Sequence, residues 1–397
     1  MSRLTDMLTE LGGIGRNEDN SITRLGFSRE YFSALEAVKA QMELLGMQTE
    51  VDPVGNLRGL LPGADPDSSS IVLGSHMDTV IRGGLFDGML GVAGGLEMVY
   101  RLKEQGTALR HNLELWGFNQ EESSPLGGTF GSRSVVGMLD PDRPGYPEKL
   151  AQYGLSPDKI RAARRDVSKY ACYLEYHIEQ GDKLDALGID IGVVSGIVSI
   201  IRYTVTAHGV SNHAGTTMMP SRKDALVGMS KLIVAAEERA RQLDDSLVFT
   251  VGTLSVSPGQ ENVIPNRAVA CFEMRHMEKA VTDRFYQDIR DLAGGISNCT
   301  FTFENTEAKY ATPCSPHLIE TIRQVCCDLG VNHIVMPSGA GHDANPFAHA
   351  GVPIGMVFVP SIGGISHHGS EQTQPQHVDL GADVLLQTIL ELDKKLP

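Results

Sequence analysis

Gly74-Ser75-His76-Met77-Asp78-Thr79-Val80, followed by the turn Gly83-Gly84-Leu85-Phe86-Asp87-Gly88, is the stretch that decides the fold of this 397-residue chain. The preceding Ile71-Val72-Leu73 is typical of a short buried strand, which we expect Gly74 to end. Open α/β sheets bind their ligands at the carboxyl ends of such strands. The stretch therefore predicts an α/β fold with a polar site that begins at His76.

The side chains of this stretch favour a metal site over an ordinary polar loop. His76 and Asp78 are two residues apart, so their side chains share one side of an extended chain. A carboxylate at Asp78 can accept the second N–H of the imidazole and make its other nitrogen a better metal ligand. The glycines that follow let the backbone turn back beside His76, which would allow the Asp87 carboxylate to bridge two cations.

The composition is that of an ordinary soluble globular protein, with 41% hydrophobic and 21% charged residues. A chain of 397 residues is too long for one ordinary domain, so two are expected. The formal net charge of −15 argues against nucleic acid and anionic membrane surfaces as partners, since both require basic surface. No apolar run reaches the ~18 residues of a membrane span.

The expected location is the cytoplasm. The sequence begins Met1-Ser2-Arg3-Leu4-Thr5-Asp6, which lacks the apolar segment of a signal peptide. None of the six cysteines forms a Cys-x-x-Cys pair, which predicts free thiols in a reducing compartment.

The order of predicted elements indicates two domains. Strands alternate with helices over most of the chain, which predicts an α/β domain whose mixed sheet is flanked by helices. From about Arg202 the pattern becomes strand–helix–strand–strand–helix–strand over ~100 residues, which is the ferredoxin-like arrangement. We therefore predict a catalytic domain of residues 1–201 and 310–397, and an inserted α+β domain of residues 202–309.

Eight polar residues of the α/β part end strands or follow them: His76, Asp78, Asp87, Glu121, Glu122, His177, Glu179 and His367. Imidazoles and carboxylates together suit zinc, manganese, cobalt or nickel. One carboxylate can bridge two such ions ~3.5–4 Å apart, and the pair activates a water molecule. Neighbouring strand residues point in opposite directions, so only one of the two glutamates can easily face a metal; the other is free to act as general base.

These motifs resemble the M20 family of metallopeptidase-fold amidohydrolases, and within it the hydantoinase/carbamoylase branch. His177-Ile178-Glu179-Gln180-Gly181 and Ser211-Asn212-His213-Ala214-Gly215-Thr216-Thr217 are specific to that branch. Further matches lie at residues 74–80, 84–88, 121–122, 262–265, 339–344 and 363–367, in the family's order over nearly the whole chain.

The resemblance implies two divalent metal ions, zinc or manganese, with cobalt or nickel as alternatives. One ion would be held by His76, Asp87 and His177, and the other by Asp87, Glu122 and His367. Glu121 would be the general base, and Asp78 would orient His76. His368 competes with its neighbour for the ligand role, but the Ile-Ser-His pattern favours His367.

The resemblance also implies a substrate site that is completed by the inserted domain, which would serve as a lid and dimerisation domain. His213 would stabilise the oxyanion, and such a histidine usually comes from the partner subunit of a homodimer. Asn262 and Arg275 match substrate-binding positions, and Gln180 would orient the amide. His342 is a further candidate for substrate contact.

Two loops depart from the branch pattern. Ser123-Ser124-Pro125-Leu126 stands where Gly-Ser-Arg-Phe is common, and His368-Gly369-Ser370-Glu371 replaces the usual Asn or Ser followed by Pro. Both loops flank the predicted site, so they bear on which substrate is accepted.

The expected function is hydrolysis of the linear carbamoyl C–N bond in N-carbamoyl-L-amino acids or in allantoate, both of which offer an amide beside a carboxylate. One alternative is an M20 dipeptidase or aminoacylase, although peptidase branches usually lack His-Ile-Glu-Gln-Gly. A second alternative is a non-catalytic ligand-binding relative, which loss of Glu121 or of a metal ligand would have supported. No such residue is missing.

Overall fold

A computed structural model describes residues 2–65, 67–122 and 124–396. It divides into two compact units. The first unit comprises the residues up to Ile197 and those from Pro313 onward, and the second unit is Val198–Thr312.

The strands of the described chain are β1 (Gln48–Val51), β2 (Leu57–Leu61), β3 (Ser70–His76), β4 (Asn112–Phe118), β5 (Tyr170–Ile178), β6 (Ile191–Ile197), β7 (Ile200–His208), β8 (Val248–Ser257), β9 (Arg267–Arg275), β10 (Thr300–Lys309), β11 (Thr312–Pro313), β12 (His333–Ser338) and β13 (Ile354–Val359).

Its α-helices are α1 (Arg3–Leu11), α2 (Arg29–Leu44), α3 (Met89–Glu104), α4 (Phe130–Val135), α5 (Tyr146–Ala151), α6 (Pro157–Ala163), α7 (Lys183–Leu187), α8 (Ala225–Leu243), α9 (Lys279–Gly294), α10 (Pro316–Asp328), α11 (Ala344–His349) and α12 (Pro375–Lys395). None of these described helices has both the length and the apolar composition that crossing a membrane requires.

The first unit is built on a mixed sheet with the strand order β1-β2-β4-β3-β5-β13-β6, and β12 also pairs with β6. Its centre, β4-β3-β5-β13, is parallel. Strands that are buried on both faces read as continuous apolar runs, and all seven residues of β3 are buried. The predicted α/β sheet is therefore confirmed.

Alternate residues of the central strands enter two separate cores, because side chains alternate across a strand. Leu73 packs in a cluster that includes Leu96 of α3 and Leu385 of α12. Val72 and Trp116 belong to a second cluster that includes Phe347 of α11. The helices thus pack against both faces of the sheet and fix the position of its carboxyl edge.

The prediction that Gly74 ends the strand is wrong. β3 continues to His76, and Gly74 pairs with Trp116 within the parallel ladder. The hydroxyl of Tyr173 donates to the Gly74 carbonyl at 2.8 Å. Pairing with the neighbouring strand therefore overrides the usual tendency of a glycine to end a strand. His76 is the last residue of β3 rather than part of a loop.

The second unit is a four-stranded sheet with the order β10-β7-β9-β8, in which every pairing is antiparallel. In chain order its elements run strand–helix–strand–strand–helix–strand. α8 and α9 contribute Leu232 and Phe285 to a core that also contains Val205 and Phe272 of the sheet.

Candidate metal centre

The first unit brings all five predicted metal ligands to one edge of its sheet. The parallel strands β4, β3, β5 and β13 all end at this edge, so the residues at their carboxyl ends meet there. His76 is the last residue of β3, His177 lies one residue before the end of β5, Glu122 follows β4, and His367 follows β13. Asp87 arrives from the turn between β3 and α3.

Asp87 lies at the centre of this group and presents one carboxylate oxygen to each side. Its Oδ1 lies 3.4 Å from His76 Nε2 and 3.2 Å from His177 Nε2. Its Oδ2 lies 3.1 Å from His367 Nε2, which in turn lies 3.5 Å from Glu122 Oε1. Bonds of 2.0–2.2 Å to a tetrahedral ion give ligand–ligand distances of about 3.3–3.6 Å. These distances have the size expected around two such ions.

Two sets of three ligand atoms therefore share Asp87. His76, Asp87 and His177 form one set, and Asp87, Glu122 and His367 form the other; within each set the atoms lie within 4.8 Å of one another. Glu121 lies in a third group of this size with His76 and Glu122. The third group places the predicted general base beside both ligand sets.

The hydrogen bonds of two histidines leave the correct nitrogen available to a metal. His76 Nδ1 lies 2.9 Å from the Asp78 carbonyl, and His177 Nδ1 lies 2.9 Å from the Ile178 carbonyl. A backbone carbonyl can only accept, so each Nδ1 carries a proton, and in the neutral Nδ1–H tautomer Nε2 is the nitrogen whose lone pair can bind a metal. The Gly88 N–H, which donates to His177 Nε2 at 3.2 Å, is compatible only with this tautomer.

The charges at this edge fit a cation. Loss of solvation raises the pKa of Glu121 well above its usual value and that of Glu122 to about 7. Burial acts in the same direction on Asp87, but the three histidines outweigh it and hold the pKa of Asp87 well below its usual value. In the part of the chain that the structure describes, no lysine or arginine forms an ion pair with these three acids. The donor set therefore suits divalent metal ions.

Asp78 contacts His76 through a different atom from the one predicted. The Asp78 carbonyl accepts from the ring, whereas its nearest carboxylate oxygen lies 3.9 Å from His76 Nδ1. The carboxylate instead accepts from the backbone N–H groups of Glu121 at 3.0 Å and Glu122 at 3.2 Å. Asp78 thus fixes the backbone of the two glutamates, and Ser123, which follows them in the departing loop, lies outside the described residues.

The side chain of Gln180 contacts a predicted metal ligand. Its Nε2 donates to Asp87 Oδ2 at 3.0 Å, and its backbone has a φ of 60°. Its Oε1 is buried without a partner in the described chain. Glu179, also singled out in the sequence, caps α7 by accepting from the backbone of Lys183 and Leu184.

His342 lies behind the site. It is only 2% exposed, and its ring centroid lies 4.7 Å from that of His177 in an edge-on arrangement. Its Nε2 lies 2.8 Å from the hydroxyl of Ser338. Burial lowers the pKa of His342 well below its usual value, so the ring is neutral. This placement favours support of His177 over the predicted contact with substrate.

The second unit brings two of its three predicted substrate residues together. His213 and Val263 form an isolated β-bridge, and the Ala214 N–H donates to the Asn262 carbonyl at 2.9 Å. Both His213 and Asn262 are exposed. The Gly215 N–H donates to His213 Nδ1 at 3.0 Å, so in the neutral ring the free Nε2 carries the proton.

Arg275 lies at the other end of the same unit. It ends β9, and the residue before it, Met274, pairs with Ile201, close to where the chain enters the unit. His213 and Asn262 lie near the opposite end of that strand. A nine-residue strand spans about 27 Å. One second unit therefore cannot offer all three side chains to one small molecule. Arg275 also donates to Glu273 Oε1 at 2.7 Å, which partly balances its charge.

Sequence reasoning placed three residues in motifs around the metal site but missed the role of each: Gly88, Ser366 and Glu371. Glu371 is buried, and it accepts hydrogen bonds from the backbone of the turn that carries Asp87. The sequence held one usable signal, an acidic residue four positions after His367. It held no indication of what that residue contacts.

Gly88→Ala is expected to weaken metal binding and to destabilise the fold by about 1–3 kcal/mol. Gly88 has a φ of 69°, and a Cβ atom there would lie 2.4 Å from the His76 ring. Gly106→Ala is the matched control, since Gly106 has a φ of 63° but no atom within 4 Å of the place that a Cβ would take. Denaturant melts and metal content would be measured for both; equal metal content would contradict the prediction.

Comparison with known proteins places these features in a family. The family described as "Peptidase family M20/M25/M40" matches residues 72–391. The chain is 36% identical over 402 residues to an N-carbamoyl-L-amino acid amidohydrolase of Geobacillus stearothermophilus, covering 98% of each protein. It is 34% identical over 403 residues to an allantoate amidohydrolase of Bacillus subtilis, covering 98% of this chain and 97% of that protein.

A similar solved structure is that of an amidase of the hydantoinase/carbamoylase family from Burkholderia multivorans. It superposes with a TM-score of 0.88 at 30% identity, covering 98% of this chain and 97% of that one. The likeness therefore extends over both units of the chain.

Proposed function

Because the chain belongs to the peptidase M20/M25/M40 family, we propose that it is a metal-dependent amidohydrolase acting on the linear carbamoyl group of N-carbamoyl-L-amino acids or of allantoate. The observation that carries the proposal is the Asp87 carboxylate shared by two sets of ligand atoms, with Glu121 beside both. The named relatives support this choice of bond.

Two divalent ions, zinc or manganese, would occupy the two ligand sets. His76, Asp87 and His177 would hold one, and Asp87, Glu122 and His367 the other. Bound there, the ions would polarise the carbamoyl carbonyl and lower the pKa of the attacking water. The expected content is two ions per chain, and chelation is expected to abolish turnover until zinc or manganese is restored.

Glu121 would move the proton. Its carboxylate is no ligand in either set, yet it lies with His76 and Glu122 at the same edge. Its desolvated position raises its pKa, which makes the carboxylate a stronger base than an exposed glutamate. Glu121 would take a proton from the attacking water and deliver it to the leaving nitrogen. For an N-carbamoyl-L-amino acid, the products would be the amino acid, carbon dioxide and ammonia.

His213 would stabilise the oxyanion and Asn262 would bind substrate beside it. A neutral ring with its proton on the free Nε2 is a suitable donor to a developing negative charge. Arg275 would pair with the substrate carboxylate through its guanidinium. Since Arg275 lies at the other end of β9, the proposal requires the two groups to come from different subunits of a homodimer, with the second unit as a lid and dimerisation domain.

Mixed dimers test this arrangement. His213→Ala and Glu121→Gln are each expected to be inactive alone. In a mixed dimer, one site would combine Glu121 of the first variant with His213 of the second, so a 1:1 mixture is expected to recover about a quarter of wild-type activity. Each variant mixed with itself is the control. A mixture that stays inactive although mixed dimers form would show that His213 acts within its own subunit.

A substrate panel tests the bond that is cleaved. Ammonia release would be measured with metal present on N-carbamoyl-L-amino acids, allantoate, ureidopropionate and matched D-isomers, and amino acid release on dipeptides. Turnover of one carbamoyl compound is expected. Dipeptide cleavage alone would favour the peptidase alternative, and metal binding without any turnover would favour a non-catalytic relative.

A further inference from the structure

Glu371 is a buried and hydrogen-bonded residue beside the metal site. It is 4% exposed, and its Oε1 accepts from the backbone N–H of Phe86 at 2.7 Å and of Asp87 at 3.0 Å. A carboxylate that accepts two backbone N–H groups holds that backbone more firmly than a neutral acceptor would. Glu371 therefore helps to fix the backbone position of Asp87 in its turn.

The second oxygen of Glu371 reaches the loop that carries His367. Glu371 Oε2 lies 3.1 Å from Ser366 Oγ, which lies 3.3 Å from Asp87 Oδ2. The single hydroxyl proton of Ser366 can serve only one of these carboxylates at a time. Glu371 thus joins two loops that are 285 residues apart in sequence and that carry ligands of the same proposed ion.

The turn leaves no room for a side chain at position 84 beside this carboxylate. A Cβ atom on Gly84 would lie 2.2 Å from Glu371 Oε1 and 2.5 Å from its Cβ. A side chain at position 84 and the glutamate at position 371 therefore cannot both occupy their places without movement. This close approach explains the glycine at position 84 in a buried turn.

We propose that Glu371 is a positioning residue. It sets the affinity of the metal centre for its ions by holding Asp87 and the His367 loop at a fixed distance from each other. This inference rests on the proposed metal-dependent function for the identity of the bound group. It assigns no contact with substrate to Glu371. Loss of a residue that orients a metal ligand typically lowers metal affinity about 10- to 100-fold.

The test is a zinc titration against a competing chelator, with thermal melting of each apo-protein recorded in parallel. Glu371→Ala is expected to bind zinc about 10- to 100-fold more weakly, because two buried N–H groups lose their acceptor. Glu371→Gln is expected to remain within a few-fold of wild type, because its amide oxygen can still accept from both N–H groups. Ser370→Ala is the control, since Ser370 is exposed on the same loop.

The visible spectrum of the cobalt-loaded protein gives a second reading that does not depend on activity. Glu371→Ala is expected to change the cobalt ligand-field bands, whereas Glu371→Gln is expected to keep them. Unchanged zinc affinity and spectrum in Glu371→Ala, even with a lowered melting temperature, would overturn the proposal and leave Glu371 a role in folding only.

Two further variants decide the question if Glu371→Ala does not fold. Ser366→Ala removes one arm of the link, and Gly84→Ala crowds the carboxylate from the opposite side. Both are expected to weaken zinc binding, and wild-type affinity in both would overturn the proposal. If the wild-type protein itself binds no metal, the proposed function fails instead, so the two failures are distinguishable.

Discussion

Glu121→Gln is expected to lower kcat by about 10³-fold while both metal ions remain bound. Glutamine keeps the shape of the side chain but cannot take a proton from the attacking water. Glu121 belongs to neither of the two ligand sets that share Asp87, so both proposed ions keep all their ligands in this variant. Turnover of the best carbamoyl substrate and metal content of the purified variant would be measured together.

Glu122→Gln is the matched control for this experiment. It makes the same change from carboxylate to amide at the neighbouring residue, but Glu122 belongs to the ligand set with Asp87 and His367. We expect this variant to lose metal from that set and to recover part of its activity when excess metal is added. If Glu121→Gln loses metal and excess metal restores its turnover, the roles of the two glutamates are reversed.

Asp87→Ala is expected to abolish tight binding of both ions and, with it, all measurable turnover. Asp87 is the one residue common to the two ligand sets, with one oxygen toward His76 and His177 and the other toward His367. Its removal leaves each set with two ligands and takes away the charge that the histidines face. Metal stoichiometry after dialysis would be measured by elemental analysis, beside a thermal melt.

His367→Ala is the control that separates a shared ligand from an ordinary one. It removes a ligand from one set only, so one ion per chain is expected to remain, against two in the wild type and none in Asp87→Ala. An Asp87→Ala protein that still holds two ions would refute the bridging geometry. A His367→Ala protein that loses both ions would show that the two sites fill only together.

The mixed sheet could be predicted because each of its strands has a recognisable residue pattern within its own short segment. The apolar run before His76 and the alternating β4 each show their character within a few residues. The metal ligands could be singled out for a related reason, since each lies at or after the carboxyl end of such a strand and parallel strands end at one edge. The contacts of Asp78 and His342 could not be predicted, because the sequence does not show which atom of a polar residue meets a neighbour across the sheet.

By itself, the sequence determined the α/β class, the residues available as metal ligands and the general base candidate. These follow from short-range patterns and from residue chemistry, both of which can be read directly from the sequence. Only the tertiary structure decided that Asp87 faces both ligand sets, that Glu371 joins two loops 285 residues apart, and that Arg275 and His213 lie at opposite ends of one unit. Such relations depend on strand register and on loop closure, which place residues in space regardless of their separation along the chain.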